Sequence, residues 1–139
     1  MSAFAKSLTA AVTAVALIAG VGVAVVSAQG PWAAPAEAKN VKNPRAAKKS
    51  DKKEMAEAKK SAETNCAACH GNSGKGDGPA AAALPPPKPA DWTADVVQKQ
   101  TDGELFWKIS NGRGSMPPWK HLPEKDRWDL VNYIRTLKK

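Results

Sequence analysis

The feature that most constrains the fold of this 139-residue sequence is the scarcity of apolar side chains outside one run near its start. That run extends from Leu8 to Val26 and contains 19 consecutive apolar, small or threonine residues. The region from residue 51 to residue 139 has far fewer large apolar side chains for its length. A domain of that size buries only a marginal core unless something else completes it.

The apolar run has the character of an export segment. Only Lys6 carries charge before it, and Val26 and Ala28 offer small residues at the two positions that signal peptidase reads. The run is also long enough to span a bilayer. We therefore predict that residues 1–28 are either a cleaved signal peptide or a retained membrane anchor. Either outcome places the rest of the chain outside the cytoplasm, and in a bacterium that means the periplasm.

Residues 29–50 are rich in Ala, Pro, Lys and Asn and lack apolar periodicity, which predicts a flexible basic linker. The whole chain has a net charge of +8, and residues 31–64 carry nine Lys or Arg against five Asp or Glu. Such a balance favours acidic protein surfaces or anionic lipid as partners. Nucleic acid is the least favoured partner, and we expect none, because no aromatic residues interleave with a basic stripe.

Residues 51–139 show helical periodicity and no strand pattern. We predict helices over 51–64, 102–109 and 123–137, and a single turn at 80–83. Residues 71–89 contain four glycines and five prolines, a density that excludes longer regular elements. The fold class expected is therefore all-α, with three to five short helices in a domain spanning residues 51–139.

The chemistry is concentrated in Cys66-Ala67-Ala68-Cys69-His70, which holds both cysteines of the chain. Residues three apart on a helical turn share a face, and the next residue lies beside them. Two thiols so placed can add to the two vinyl groups of one porphyrin while the imidazole reaches the iron. This spacing is typical of covalent attachment of one haem c. A large flat apolar group would also complete the thin core.

Two other uses of these residues are chemically conceivable. A thioredoxin-type redox pair also has two cysteines three apart, but it requires a βαβ context that the sequence lacks. A zinc site could combine Cys66, Cys69, His70 and His121, which are the only Cys and His residues present. Adjacent ligands at 69 and 70 strain a tetrahedral site, and the spacing matches no zinc finger.

A haem iron that carries electrons usually has a second axial ligand from the protein, and methionine is a common one. Met116 lies in a loop with glycines before it and prolines after it, which can approach a haem and then stay rigid. The alternative is a methionine that fills a gap in the core. Met55, on the packing face of the first helix, and His121 are the competing candidates.

Several segments of the chain together follow a known pattern: 66–71, 76–80, 103–109, 111–117, 122–124 and 128–135. Through them, residues 64–139 resemble a class I monohaem c-type cytochrome. The resemblance implies an all-helical fold in which the first and last helices cross beside the haem, with His70 and Met116 as axial ligands. It also implies that the carbonyl of Pro79 accepts the proton on the second ring nitrogen of His70. Trp119 is a candidate donor to a haem propionate, with packing as the alternative.

A filled coordination sphere leaves no position for a substrate, so we expect an electron carrier and not an enzyme. Its partners would be a redox protein that donates the electron and another that accepts it. Two alternatives stay open. The chain could be a haem-bearing subunit of a membrane oxidoreductase complex, held by residues 8–26, or a sensor with an open sixth position.

Overall fold

The structure is a computed structural model that describes residues 32–139. The predicted export segment, residues 1–28, lies outside this range. Its six α-helices are α1 (Ala36–Asn40), α2 (Lys52–Asn65), α3 (Ala67–His70), α4 (Asp95–Gln98), α5 (Asp102–Asn111) and α6 (Glu124–Thr136), with 3₁₀ turns at Ala46–Ser50 and Ala81–Ala83. Between residues 32 and 139 there is no strand, so the all-α prediction is confirmed. Five of these α-helices lie within residues 51–139, in agreement with the number expected.

The first and last long helices of the domain, α2 and α6, pack against each other. Asp51 caps α2, because its side chain accepts hydrogen bonds from the amides of Lys53 and Glu54. The face that α2 turns to α6 is built from small residues, and Ala58 and Ala62 are buried there. Short side chains let two helices approach closely, so this contact compensates for the low number of large apolar residues.

Helix α5 packs against α6 and contributes Leu105 and Ile109 to the core. It begins with a capping box, in which the Thr101 hydroxyl accepts from the amide of Glu104 and the Glu104 carboxylate accepts from the amide of Thr101. It ends at Gly112, whose φ of +63° favours glycine. Both ends agree closely with the prediction. None of the helices within residues 32–139 is sufficiently long and apolar to cross a membrane.

The structure differs from the prediction at residues 32–50, which were expected to be part of a flexible linker. This segment, here called the N-terminal strap, packs along α5 and α6. Ala34 and Ala38 are buried, and the side-chain amide of Asn43 donates to Asp102 at 3.0 Å and to Asn132 at 2.9 Å. The anchors are alanines and polar groups, so no apolar periodicity revealed them in the sequence.

A cluster of charged side chains fixes the strap to both long helices. Arg45, from the strap, binds Asp129 of α6 at 2.6 Å and Glu54 of α2 at 2.8 Å. Lys125 binds the same two carboxylates at 2.9 Å each. The side chain of Asp129 is only 4% exposed, and a buried carboxylate needs such partners. The cluster therefore joins the strap and the adjacent α2 to α6, which is distant in sequence.

The contact between the strap and α5 depends on Gly103. A Cβ atom at this position would overlap the carbonyl oxygen of Ala38 and lie 2.8 Å from that of Val41. We expect Gly103→Ala to displace the strap and to lower the free energy of unfolding by about 1–3 kcal/mol. Denaturant unfolding and limited proteolysis within residues 32–50 measure both effects.

The control is the same substitution in a chain that begins at residue 43. Without Ala38 and Val41 the clash is gone, and alanine is favoured over glycine in a helix. There the substitution should be neutral or stabilising. An equal loss of stability in both chains would contradict this account of the strap.

The charged cluster also predicts how stability depends on pH. Hydrogen bonds from Lys125 and Arg45 hold the pKa of Glu54 below its ordinary value of 4.5. The stabilisation is therefore complete above about pH 4.5 and is lost as pH falls through the lowered pKa of the folded state. We expect Glu54→Gln to be less stable than the natural chain at neutral pH, with a difference that shrinks as the pH falls below 4.5. Glu57→Gln, on the exposed face of α2, is the matched control and should show no such convergence.

Candidate functional site

The two cysteines and His70 lie on one helical turn. Cys66 ends α2 and begins α3, and its carbonyl accepts from the amides of Cys69 at 3.1 Å and of His70 at 2.9 Å. Both cysteines are free thiols and are half-buried. Burial, followed by the nearby Cys69, raises the pKa of Cys66 to about 11, so its sulfur is a neutral thiol at neutral pH. The turn thus presents two unpaired thiols and an imidazole together.

The loop after the turn is bound to it by backbone hydrogen bonds. The amides of Gly76, Gly78 and Ala80 donate to the carbonyls of His70, Cys69 and Ala68 at 2.8, 3.1 and 2.9 Å. Gly78 cannot carry a side chain here, because a Cβ would lie 2.5 Å from the carbonyl oxygen of Ala68. The glycines of this loop therefore allow it to approach the turn closely.

His70 is buried and its ring has two neighbours. Its Nδ1 lies 3.0 Å from the carbonyl oxygen of Ala90. Because a carbonyl can only accept, Nδ1 carries the proton in this arrangement, and the lone pair of Nε2 is left for a metal. Burial lowers the pKa of His70, with the Ala90 bond opposing it, so the imidazole is neutral at neutral pH. The indole of Trp92 stacks on the ring at 4.5 Å between centroids.

Sequence reasoning expected the Pro79 carbonyl beside Nδ1 of His70, and the structure has the Ala90 carbonyl there instead. Pro79 is exposed, on the outer side of the loop that follows the turn. The physical reason is the length of the loop. It first folds back onto α3 through residues 76–80, and only its later part, around Pro89 and Ala90, passes beside the ring.

Met116 lies in a tight loop between α5 and α6. Its amide donates to the carbonyl of Arg113 at 3.0 Å, and the amide of Arg113 donates to the carbonyl of Met116 at 2.9 Å. Gly112 is needed for this turn, because a Cβ there would overlap the carbonyl oxygen of Met116. The amide of Trp119 then returns the chain to α5 by donating to Ile109 at 3.0 Å. The loop is thus held at both ends, as a rigid ligand loop would be.

The structure brings most of the predicted site residues to one core. Met116, Trp119, Met55 and Cys66 are partly buried and pack against the same apolar cluster, which includes Trp92. His121 is different, because it is exposed and contacts the Trp119 ring at a centroid distance of 5.2 Å. This position makes it a weaker candidate for an axial ligand than Met116.

Three residues at the site escaped the sequence analysis: Ala90, Trp92 and Gln98. Ala90 acts through its backbone, which no residue type reveals. Trp92 had a signal that could have been used, since a large aromatic residue directly after a Gly/Pro-rich loop must bury its ring somewhere. Gln98 supports Trp92 and has no motif of its own.

The residues present fit a covalently attached haem and do not fit zinc. Two free thiols and a neutral imidazole with an available Nε2 share one turn, and a methionine loop packs on the same core. By contrast, within residues 32–139 no three or more His, Cys, Asp and Glu side chains are grouped so that they could hold a metal ion. A porphyrin iron needs only the imidazole and one further axial ligand from the protein.

Comparison with known proteins gives a family and several related folds. The family model for cytochrome c matches residues 55–138. No curated protein matches the chain. A solved structure of the Kuenenia stuttgartiensis reducing HAO-like protein complex Kustc0457/Kustc0458 is 27% identical, with a TM-score of 0.55. The alignment covers 63% of this chain and 45% of that one, so this chain spans less than half of the matched chain's length.

Two further structures are c-type cytochromes. The KustC0563 c-type cytochrome is 25% identical over 59% of this chain and 98% of its own, with a TM-score of 0.49. Cytochrome CL from Methylophaga aminisulfidivorans MPT is 18% identical over 66% of this chain and 57% of its own, with a TM-score of 0.51. With more than half of its residues matched by the family model, this chain belongs to the cytochrome c family, whose haem c is covalently bound.

Proposed function

We propose that the chain transfers single electrons outside the cytoplasm through one haem c attached to Cys66 and Cys69, with His70 and Met116 as axial ligands. The observation that carries the proposal is the state of His70. It is buried and neutral, its Nδ1 is engaged by Ala90, and it lies on the same turn as both thiols. Such an imidazole has only Nε2 left to offer, and iron is the partner that the two thiols imply.

Bound haem c supplies an iron that alternates between the ferric and ferrous states. The protein's contribution is to hold both ligands in place in each state. His70 is fixed by contacts to its ring, and Met116 by the hydrogen-bonded loop from Arg113 to Trp119. Because neither segment has to move when the charge on the iron changes, the reorganisation that accompanies electron transfer stays small. The same rigidity keeps water and exogenous ligands from the sixth position.

The role of Met116 can be tested with carbon monoxide, which binds reduced haem only where a position is open. We expect the reduced natural protein to bind none rapidly at neutral pH and Met116→Ala to bind it fully, as recorded in the visible spectrum. Met55→Ala is the matched control, because Met55 packs on the same core from α2 and should leave the haem closed. Rapid and complete binding by the natural protein would instead support the open-site sensor.

The surface charge supports a redox partner with an acidic docking surface. The chain has a net charge of +8, and exposed lysines are concentrated on the strap and the outer side of α2. Six of them lie between residues 48 and 60: Lys48, Lys49, Lys52, Lys53, Lys59 and Lys60. Two of them have acidic neighbours at 3.6 and 3.7 Å, and pairs so exposed contribute little and leave the patch basic. An electrostatically complementary partner would associate faster at low salt.

The second candidate is a permanently anchored subunit of a membrane oxidoreductase complex. The likeness to a chain of a multi-protein complex from Kuenenia stuttgartiensis favours it. So does the short distance between the apolar run and the fold. The strap is packed against the domain and does not act as a spacer. Only residues 27–31 are therefore left between the end of the apolar run at Val26 and the start of the strap at Trp32.

Location distinguishes the two candidates. For a free carrier, the red protein should be released with the periplasmic fraction without detergent, and its N-terminus should be Gln29. Ala28→Phe is the control, since a bulky residue at the cleavage position blocks signal peptidase and should retain the protein in the membrane. Recovery of the natural protein only with membranes and other subunits would contradict the free carrier and favour the complex.

A further inference from the structure

The ring of His70 has a second contact besides the one to Ala90. The indole of Trp92 faces it at 4.5 Å between centroids, with an angle of 24° between the two planes. Trp92 is only 9% exposed and belongs to the main apolar core. One face of the imidazole therefore lies against a side chain that is itself buried in the core.

Trp92 is held in place from two directions. Its amide donates to the carbonyl of Gly74 at 2.6 Å. Its carbonyl accepts from the side-chain amide of Gln98 at 2.7 Å, and the same nitrogen donates to Ile134 of α6 at 2.9 Å. Gln98 therefore connects the backbone beside His70 to the C-terminal helix. The backbone of Trp92 is therefore fixed through both its amide and its carbonyl.

The loop leaves room for the indole only because residue 74 is glycine. Its φ is +71°, and a Cβ there would lie 2.7 Å from Cε3 of Trp92 and 2.9 Å from Cδ1 of Leu137. Gly74 therefore leaves the space that the indole occupies, in addition to its role in the turn. Gly74 and Gln98 thus both support Trp92, which is the residue that stacks on the imidazole.

We propose that Trp92 is a positioning residue that sets the plane of the His70 imidazole and keeps water from it. The hydrogen bond to Ala90 fixes one atom of the ring, yet the ring can still tilt about that atom. A parallel indole removes this freedom, and together the two contacts define the orientation of Nε2. The proposal rests on His70 being an axial ligand, as proposed above.

The orientation of the ring and the exclusion of water from it both influence the properties of the iron. The orientation of an axial imidazole determines how its orbitals overlap with those of ferric iron. A change in that orientation therefore changes the ferric electron paramagnetic resonance spectrum. Water at the ligand stabilises the ferric state, because that state carries one more positive charge than the ferrous state. Loss of the indole should therefore lower the reduction potential and change the ferric spectrum.

The test uses the haem-loaded full-length protein and its variants Trp92→Leu and Trp92→Phe. We expect Trp92→Leu to shift the reduction equilibrium about tenfold towards the ferric form, which is about 59 mV for one electron. The ferric electron paramagnetic resonance signal should also broaden or split, as the imidazole takes several orientations. Trp92→Phe retains a flat ring and should recover most of both properties.

Val97→Ala is the matched control, because Val97 is buried in the same cluster and its truncation loosens the core without removing the stack. At comparable loss of stability it should leave potential and spectrum unchanged. Should Trp92→Leu fail to accumulate, Gln98→Ala replaces it and should give a smaller shift in the same direction. Natural potential and spectrum in Trp92→Leu, or in Gln98→Ala where it replaces that variant, would overturn the proposal, as would equal changes in Val97→Ala. A natural protein without imidazole-ligated low-spin haem would instead overturn the proposed function.

Discussion

The hydrogen bonds between the turn that carries the cysteines and the loop that follows it determine much of the rest of the structure. A helix as short as α3 leaves its last carbonyls unsatisfied. Those of Ala68, Cys69 and His70 are taken up by amides of residues 76–80. The loop is thereby pressed onto the turn, and its return path brings Ala90 and Trp92 to the imidazole. The turn that carries the cysteines, the loop after it and the contacts to the His70 ring therefore form one structural unit.

The remaining fold shows how a chain with few large apolar side chains achieves order. Alanines at the α2–α6 contact and a glycine below the strap allow close approach, so short side chains suffice to exclude water. Ion pairs add to this packing, because Arg45 and Lys125 both bind the carboxylates of Glu54 and Asp129 and so join the strap, α2 and α6. Covalent haem adds a large apolar surface to this frame, which agrees with the marginal core expected from the sequence.

Elements with local determinants could be predicted from the sequence. The starts of α2 and α5 depend on residues within one helical turn, and both lie within one residue of the predicted positions 51 and 102. The strap could not be predicted, because its anchors, such as Asn43 to Asn132, join residues far apart and use no apolar pattern. The grouping of the two thiols with His70 follows from spacing alone.

The partner of the imidazole illustrates a more general limit. A ligand is a side chain, so a motif carries it from one family member to another, whereas an accepting carbonyl belongs to whichever residue the loop brings alongside. The resemblance therefore pointed to Pro79, while the return path of this loop presents Ala90 at 3.0 Å. No side-chain substitution at Ala90 removes a backbone oxygen. Of the two contacts to the ring, only the one from Trp92 is directly accessible to mutation, so sequence change can adjust the environment of His70 most readily through that indole.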